Sequence, residues 1–87
     1  MFYVYVLKSE KDHTTYIGFT ADLKKRFKEH NFGKSKYTKT KTPWILTYYE
    51  AYSEESLARK REIELKKNSK KKEELFNRIF MARSSSG

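Results

Sequence analysis

The chain has 87 residues, a formal charge of +9, 16% aromatic residues and no cysteine. That length holds one domain with a modest core, and the missing cysteine excludes disulfides and thiolate zinc sites. Basic charge combined with abundant rings points to a phosphate-rich partner, since lysines neutralise a polyanion and aromatic faces stack on bases.

The first predicted element is a strand over residues 2–7, Phe-Tyr-Val-Tyr-Val-Leu, without a polar break, as in a strand buried on both faces. Alternation puts Phe2, Val4 and Val6 on one face and Tyr3, Tyr5 and Leu7 on the other. Ser9 to Thr14 is a polar turn, and Thr15 to Phe19 returns as a second strand of a hairpin, with Tyr16 and Gly18 on one face. The glycine leaves room there for something to approach the sheet closely. Because the chain enters this hairpin at Phe2, no positively charged leader precedes it, and a cytoplasmic setting is the default expectation. No stretch approaches the length of a membrane-spanning helix, so no membrane partner is expected.

Asp22 is the expected N-cap of a helix running to about Asn31, with Gly33 as its stop. Helical spacing gathers Leu23, Arg26, Phe27 and His30 within roughly one third of the circumference, whereas Lys24, Lys25, Lys28 and Glu29 fall outside it. Arginine on a buried edge needs a partner. Residues 33–42 form a basic, hydroxyl-rich loop without an apolar period, ended by Pro43, and Trp44 to Tyr52 reads as a third strand. Ser53 is the expected cap of a helix from Glu54 to Lys67, with Leu57, Ala58, Arg61 and Leu65 as its inner stripe and Glu62 flanking it. Asn68-Ser69 breaks the pattern before a last helix, Lys70 to about Phe80, that buries Leu75, Phe76, Ile79 and Phe80. A single domain over residues 1–80 and a disordered polar tail over 81–87 are expected.

Taken one at a time, these residues are unremarked: tyrosines in an apolar strand pack, and a glutamate on a charged helix is usually solvated. Taken in order, Tyr5, Tyr16, Arg26, His30 and Glu62 make up the set that phosphodiester hydrolysis requires. The reaction needs an activated water, neutralised phosphoryl oxygens and help for the leaving oxygen. Arg26 can clamp a phosphate through two parallel hydrogen bonds, a geometry lysine lacks. Glu62 can hold one hard cation, Mg²⁺ or Mn²⁺, which keeps most of its waters and takes remaining ligands from the substrate. Tyr5 or Tyr16 can hold or deprotonate the attacking water, provided a nearby cation depresses a phenol pKa of about 10. His30 can move protons near neutral pH, as can His13 in the predicted turn. Lys34, Lys36, Lys39 and Lys41 in the loop, with Lys66 and Lys67 on the second long helix, are the candidate nucleic-acid contacts.

The order of these residues resembles the GIY-YIG nuclease superfamily, and in particular its small stand-alone bacterial proteins. The resemblance runs through Tyr3-Val4-Tyr5-Val6-Leu7, Tyr16-Ile17-Gly18, and Asp22-Leu23 with Arg26 and His30-Asn31. It continues through Lys36-Tyr37-Thr38, Pro43-Trp44, Leu46 with Tyr48, and Arg61-Glu62 with Leu65-Lys66. It implies an α+β domain in which a small three-stranded antiparallel sheet is flanked by about three helices. It further implies Tyr5 and Tyr16 at the site, Arg26 on the phosphate, His30 assisting, and Glu62 on a divalent metal. Two positions depart from the pattern: Tyr3 stands where the first motif has its leading glycine, and Glu74 where many characterised members have asparagine, with Asn77 off that spacing.

The expectation is therefore a metal-dependent endonuclease acting on DNA, in repair or recombination, with RNA as an open alternative. No base-reading module is visible, so binding is expected to be poor in sequence preference or to depend on a protein partner that supplies specificity. The competing expectation is a catalytically silent nucleic-acid-binding module. A third is a protein-interaction domain, which would have no nucleic-acid affinity at low salt.

Overall fold

The computed structural model describes residues 1–81; of the tail expected at 81–87, Met81 ends the last helical turn and 82–87 lie outside the described residues. One antiparallel sheet carries β1 (Phe2–Ser9), β2 (Thr15–Thr20) and β3 (Trp44–Tyr52) in the order β2-β1-β3. Three α-helices accompany it: α1 (Leu23–Asn31), α2 (Glu55–Lys67) and α3 (Ser69–Phe76). The expected α+β architecture is the one observed. β1 is the central strand, which is why it reads as an unbroken apolar run: Val4, Tyr5, Val6 and Leu7 are all buried.

The two faces of β1 build two cores. Val4 and Val6 pack with Ile17, Ala58, Leu65, Leu75 and Ile79 beneath α2 and α3, bordered by Phe2, Phe19, Phe76 and Phe80. Tyr5 and Leu7 pack with Trp44 on the opposite face, bordered by Tyr16 and by Leu23 and Phe27 of α1. The sheet is therefore sandwiched between α1 on one side and α2 with α3 on the other. Between Val6 and Leu7 the β1–β3 register shifts, with Val6 opposite Tyr48 and Leu7 opposite Leu46. The extra residue, Thr47, uses its hydroxyl to donate to Val6 C=O at 3.0 Å.

The helix boundaries obey local rules, with several corrections. Asp22 caps α1 by accepting from Lys25 N–H at 3.1 Å, and Gly33, at φ 76°, follows its end in a conformation that favours glycine. Ser53 is not the cap of α2; Glu54 holds that position and no side chain caps the helix. Leu57, placed on the inner stripe by its spacing, is 47% exposed, so the buried face of α2 is the arc of Ala58, Arg61 and Leu65 instead. Asn68, read as a break, is a cap: its side chain accepts from Lys71 N–H at 3.1 Å. The last predicted helix begins one residue earlier than expected, at Ser69, and its final turn, Asn77–Met81, is a π-helix that brings Ile79 to the core.

Candidate active site

Four elements, β1, β2, α1 and α2, carry the five candidate residues. Tyr5 comes from the middle of β1 and Tyr16 from β2, with ring centroids 6.3 Å apart. Gly18 stands opposite Tyr5 in the register, and a Cβ there would collide with the Tyr5 phenol oxygen and ring. The close approach expected at this glycine is thus made by Tyr5 itself, whose ring lies across β2. The Asp22 cap sets the phase of α1, so that Arg26 and His30, four residues apart, share the face turned to these rings. Asn31 fixes the far end of α1 by donating to Trp44 C=O at 3.1 Å and accepting from Trp44 N–H at 2.6 Å.

His30 is completely buried. Its Nε2 lies 2.8 Å from the Tyr5 oxygen and its Nδ1 lies 2.8 Å from Thr38 Oγ1, while its ring is 5.1 Å from that of Tyr16. Burial, reinforced by the Arg26 charge, lowers the imidazole from its ordinary 6.5 to about 4, so it is neutral near pH 7. Burial likewise pushes the Tyr5 phenol well above its usual range, with the neighbouring Tyr16 adding to the effect and Arg26 opposing it. Burial works against the charge of Arg26, but Glu29 at 3.0 Å and the facing Tyr5 oxygen outweigh it and hold the guanidinium more firmly protonated than usual.

Glu62 approaches from α2 with its side chain only 16% exposed, near enough for its charge to raise the Tyr5 phenol further. Its Oε2 accepts from Lys66 Nζ at 3.0 Å, and that ammonium also sits 5.9 Å from the Tyr16 ring centre. Among the described residues no group of three or more His, Asp or Glu side chains converges, and Glu62 is the one carboxylate among the five candidates. A single hard oxygen donor fits a divalent ion that retains most of its waters, and does not make a closed protein cage. A shallow cleft of about 250 Å³ is lined by Thr15, Tyr16, Ile17, Tyr37, Lys66 and Lys72; of the five candidate residues it takes in Tyr16 alone, and Glu62 is linked to it through Lys66. A roomier hollow of about 430 Å³ lies around Tyr3, Phe27 and Tyr49 and contains none of the five residues. Glu74 lines a different cleft, with Arg61, Lys71 and Arg78.

The candidate nucleic-acid contacts divide into two groups. Lys34, Lys36, Lys39 and Lys67 are exposed and, among the described residues, form no salt bridge. Lys41 is engaged by Asp12 at 3.5 Å and by Thr14 at 3.3 Å, and Lys66 by Glu62. Sequence reasoning left Thr38 and Tyr37 without a role. Tyr37 is 61% exposed and its ring lies 5.7 Å from Tyr16, flanking the cleft. Thr38 is fully buried beneath it, a hydroxyl hidden inside a lysine-rich loop. The signal was the Lys36-Tyr37-Thr38 string itself, an aromatic and a hydroxyl side by side in a segment with no apolar period.

Comparison with known proteins bears on the family and the fold. A family model of the GIY-YIG catalytic domain matches residues 1–76. The UPF0213 protein SH2523 of Staphylococcus haemolyticus is 46% identical over 65 residues, covering 74% of this chain and 78% of its own. The UPF0213 protein YazA of Bacillus subtilis is 44% identical over 75 residues, covering 85% of this chain and 75% of its own. The solution NMR structure of the UPF0213 protein BH0048 from Bacillus halodurans superposes with a TM-score of 0.56 at 34% identity, covering 92% of this chain and 86% of that one. Among the described residues, no helix is long and apolar enough to cross a membrane. With the sheet, the helices and the family match in agreement, the chain belongs to the GIY-YIG family, a family of nucleases.

Proposed function

We propose that this protein is a metal-dependent endonuclease that hydrolyses phosphodiester bonds in DNA, with Tyr5, Tyr16, Arg26, His30 and Glu62 as its working residues. The observation that carries this reading is the meeting of a forked cation, one carboxylate and a second phenol around Tyr5, beside an open basic cleft. Arg26 binds the scissile phosphate and offsets the charge that builds on its oxygens. Tyr16, on the cleft wall, orients the attacking water, while Tyr5 stays protonated beneath it and holds Arg26 in place. Glu62 would hold Mg²⁺ or Mn²⁺, which when bound would supply charge neutralisation at the phosphoryl oxygens and help to activate water. Lys34, Lys36, Lys39 and Lys67, joined by Lys41 and by Lys66 at the cleft, neutralise flanking phosphates.

A catalytically silent binding module is favoured by one observation: both charged residues at the centre are already paired, Arg26 with Glu29 and Glu62 with Lys66. These pairs join neighbours along one helix and are worth only about 0.2–0.5 kcal/mol each. A phosphate and a divalent ion displace such partners readily, so the nuclease reading stands ahead. The test is cleavage of plasmid, single-stranded, branched and RNA substrates with Mg²⁺ or Mn²⁺, beside Glu62→Ala purified identically. The expected result is metal-dependent cleavage that falls by about a hundredfold or more in the variant, the loss of several kcal/mol of transition-state stabilisation, while DNA binding is largely kept. Binding without cleavage by the unaltered protein would move the assignment to the silent module.

A further inference from the structure

Every donor and acceptor around the buried His30 can be assigned a direction, and the assignments agree from both ends. A neutral imidazole offers one N–H donor and one bare nitrogen, and its neighbours decide which is which. At one end, Ser35 C=O, which can only accept, is a second neighbour of Thr38 Oγ1 at 3.5 Å. A Thr38 hydrogen turned to that side leaves a lone pair to receive the Nδ1–H at 2.8 Å. Nε2 is then bare and accepts from the Tyr5 hydroxyl at 2.8 Å. At the other end, the guanidinium of Arg26 has donors only, and its positive charge bears on the Tyr5 phenol. That charge favours a phenol with its lone pairs towards Arg26 and its hydrogen towards Nε2. The opposite tautomer would aim the Tyr5 hydrogen at a cation.

We propose that Thr38 is a positioning residue: its hydroxyl fixes His30 in the Nδ1–H form and so turns the Tyr5 oxygen towards Arg26, aiming the guanidinium at the substrate phosphate. The last step rests on the nuclease reading; the tautomer and the hydroxyl orientation do not. Thr38 is itself held on the backbone side, where Trp44 Nε1–H donates to its carbonyl at 2.9 Å. Trp44, buried at the start of β3 and tied to α1 through Asn31, keeps the loop, the strand and the helix in one register. A segment that reads as a solvated lysine loop thus supplies the residue on which the orientation of the site depends.

The experiment reads the His30 ring ¹⁵N shifts in the full chain at neutral pH, in the unaltered protein and in Thr38→Val and Thr38→Ser. Expected are the Nδ1–H form in the unaltered protein and in Thr38→Ser, and loss of that preference in Thr38→Val, which keeps the shape but not the hydroxyl. Cleavage turnover should fall by about 10–100-fold in Thr38→Val and return in Thr38→Ser, the range found when an orienting partner of an active-site ligand is removed. An Nε2–H form in the unaltered protein overturns the proposal without any variant, so a misfolded Thr38→Val cannot shelter it. An unchanged tautomer in a folded Thr38→Val, or a changed tautomer with unaltered turnover, overturns it too. If the unaltered protein cleaves nothing, the nuclease reading fails, and with it the aiming of Arg26, while the shifts still decide the role of Thr38 in orienting His30 and Tyr5.

Discussion

A histidine with no exposed surface makes folding depend on its proton. His30 ionises at about 4 in the folded chain and near 6.5 when unfolded, so between those values the unfolded chain binds the extra proton. Stability is therefore full above about pH 6.5 and falls as the pH is lowered towards 4, by about 2 kcal/mol at pH 5. The carboxylates of Glu29 and Glu50, held low mainly by Arg26 and by Arg61 respectively, lose their contributions only below about 4.5, so the window from 6.5 to 4.5 reports His30. Denaturant midpoints at pH 7, 6 and 5 measure it, and a flat profile would contradict a neutral buried imidazole. The sequence made His30 and Arg26 legible because four-residue spacing fixes a shared helix face. Thr38 was not legible, because its contact with His30 follows from a loop path that no period describes.

Between elements, the strongest polar tie joins β3 to α2. Tyr48, Glu50 and Tyr52 alternate onto the α2 face, and both hydroxyls donate to the Glu50 carboxylate, at 2.7 and 2.6 Å. Arg61 adds a fork, its Nε at 3.0 Å from Oε1 and a terminal nitrogen at 3.1 Å from Oε2. The Arg61 guanidinium is held firmly protonated by Glu50 first and Glu64 second, and burial with the Glu50 bond pushes Tyr52 up to about 12. Glu50→Ala leaves a half-buried arginine and two hydroxyls without that acceptor, and is expected to cost about 3 kcal/mol, at the low end for buried pairs because some solvent reaches both groups. Chemical denaturation checks this, and a cost below about 1 kcal/mol would show that water replaces the carboxylate. The strands and helices themselves were readable from periods of two and of about three and a half residues. What the periods left open was phase: they gave α2 an apolar stripe but set Leu57 on the wrong side of it. An arginine inside that stripe was the clue, though its partner lies eleven residues back on another element.

Across the whole molecule, a charge of +9 on 87 residues is not spread as the lysine count suggests. Of the six candidate lysines, Lys41 and Lys66 are tied to carboxylates, which leaves Lys34, Lys36, Lys39 and Lys67; with Arg26, which the proposed reading moves from Glu29 to the phosphate, these are the cations expected to meet phosphates first. About five such contacts give a log–log salt slope near −4 to −5, a loss of two to three orders of magnitude in DNA affinity between 50 and 200 mM salt. Fluorescence anisotropy titrations at these two salt concentrations measure it, and a salt-insensitive complex would remove the backbone-gripping role from the loop. That loop is also stitched down. Ser9 Oγ donates to Lys41 C=O at 2.6 Å, Lys11 Nζ to Thr40 C=O at 3.1 Å, and Glu10 N–H to Pro43 C=O at 2.9 Å, all from the hairpin that carries Tyr5 and Tyr16. The entropy of arranging this backbone is therefore spent during folding, at about 1–2 kcal/mol per residue, and not when a polyanion arrives. Docking has only the lysine side chains left to order, at about 0.5–1.5 kcal/mol each, so a small domain can keep more of each phosphate contact as affinity.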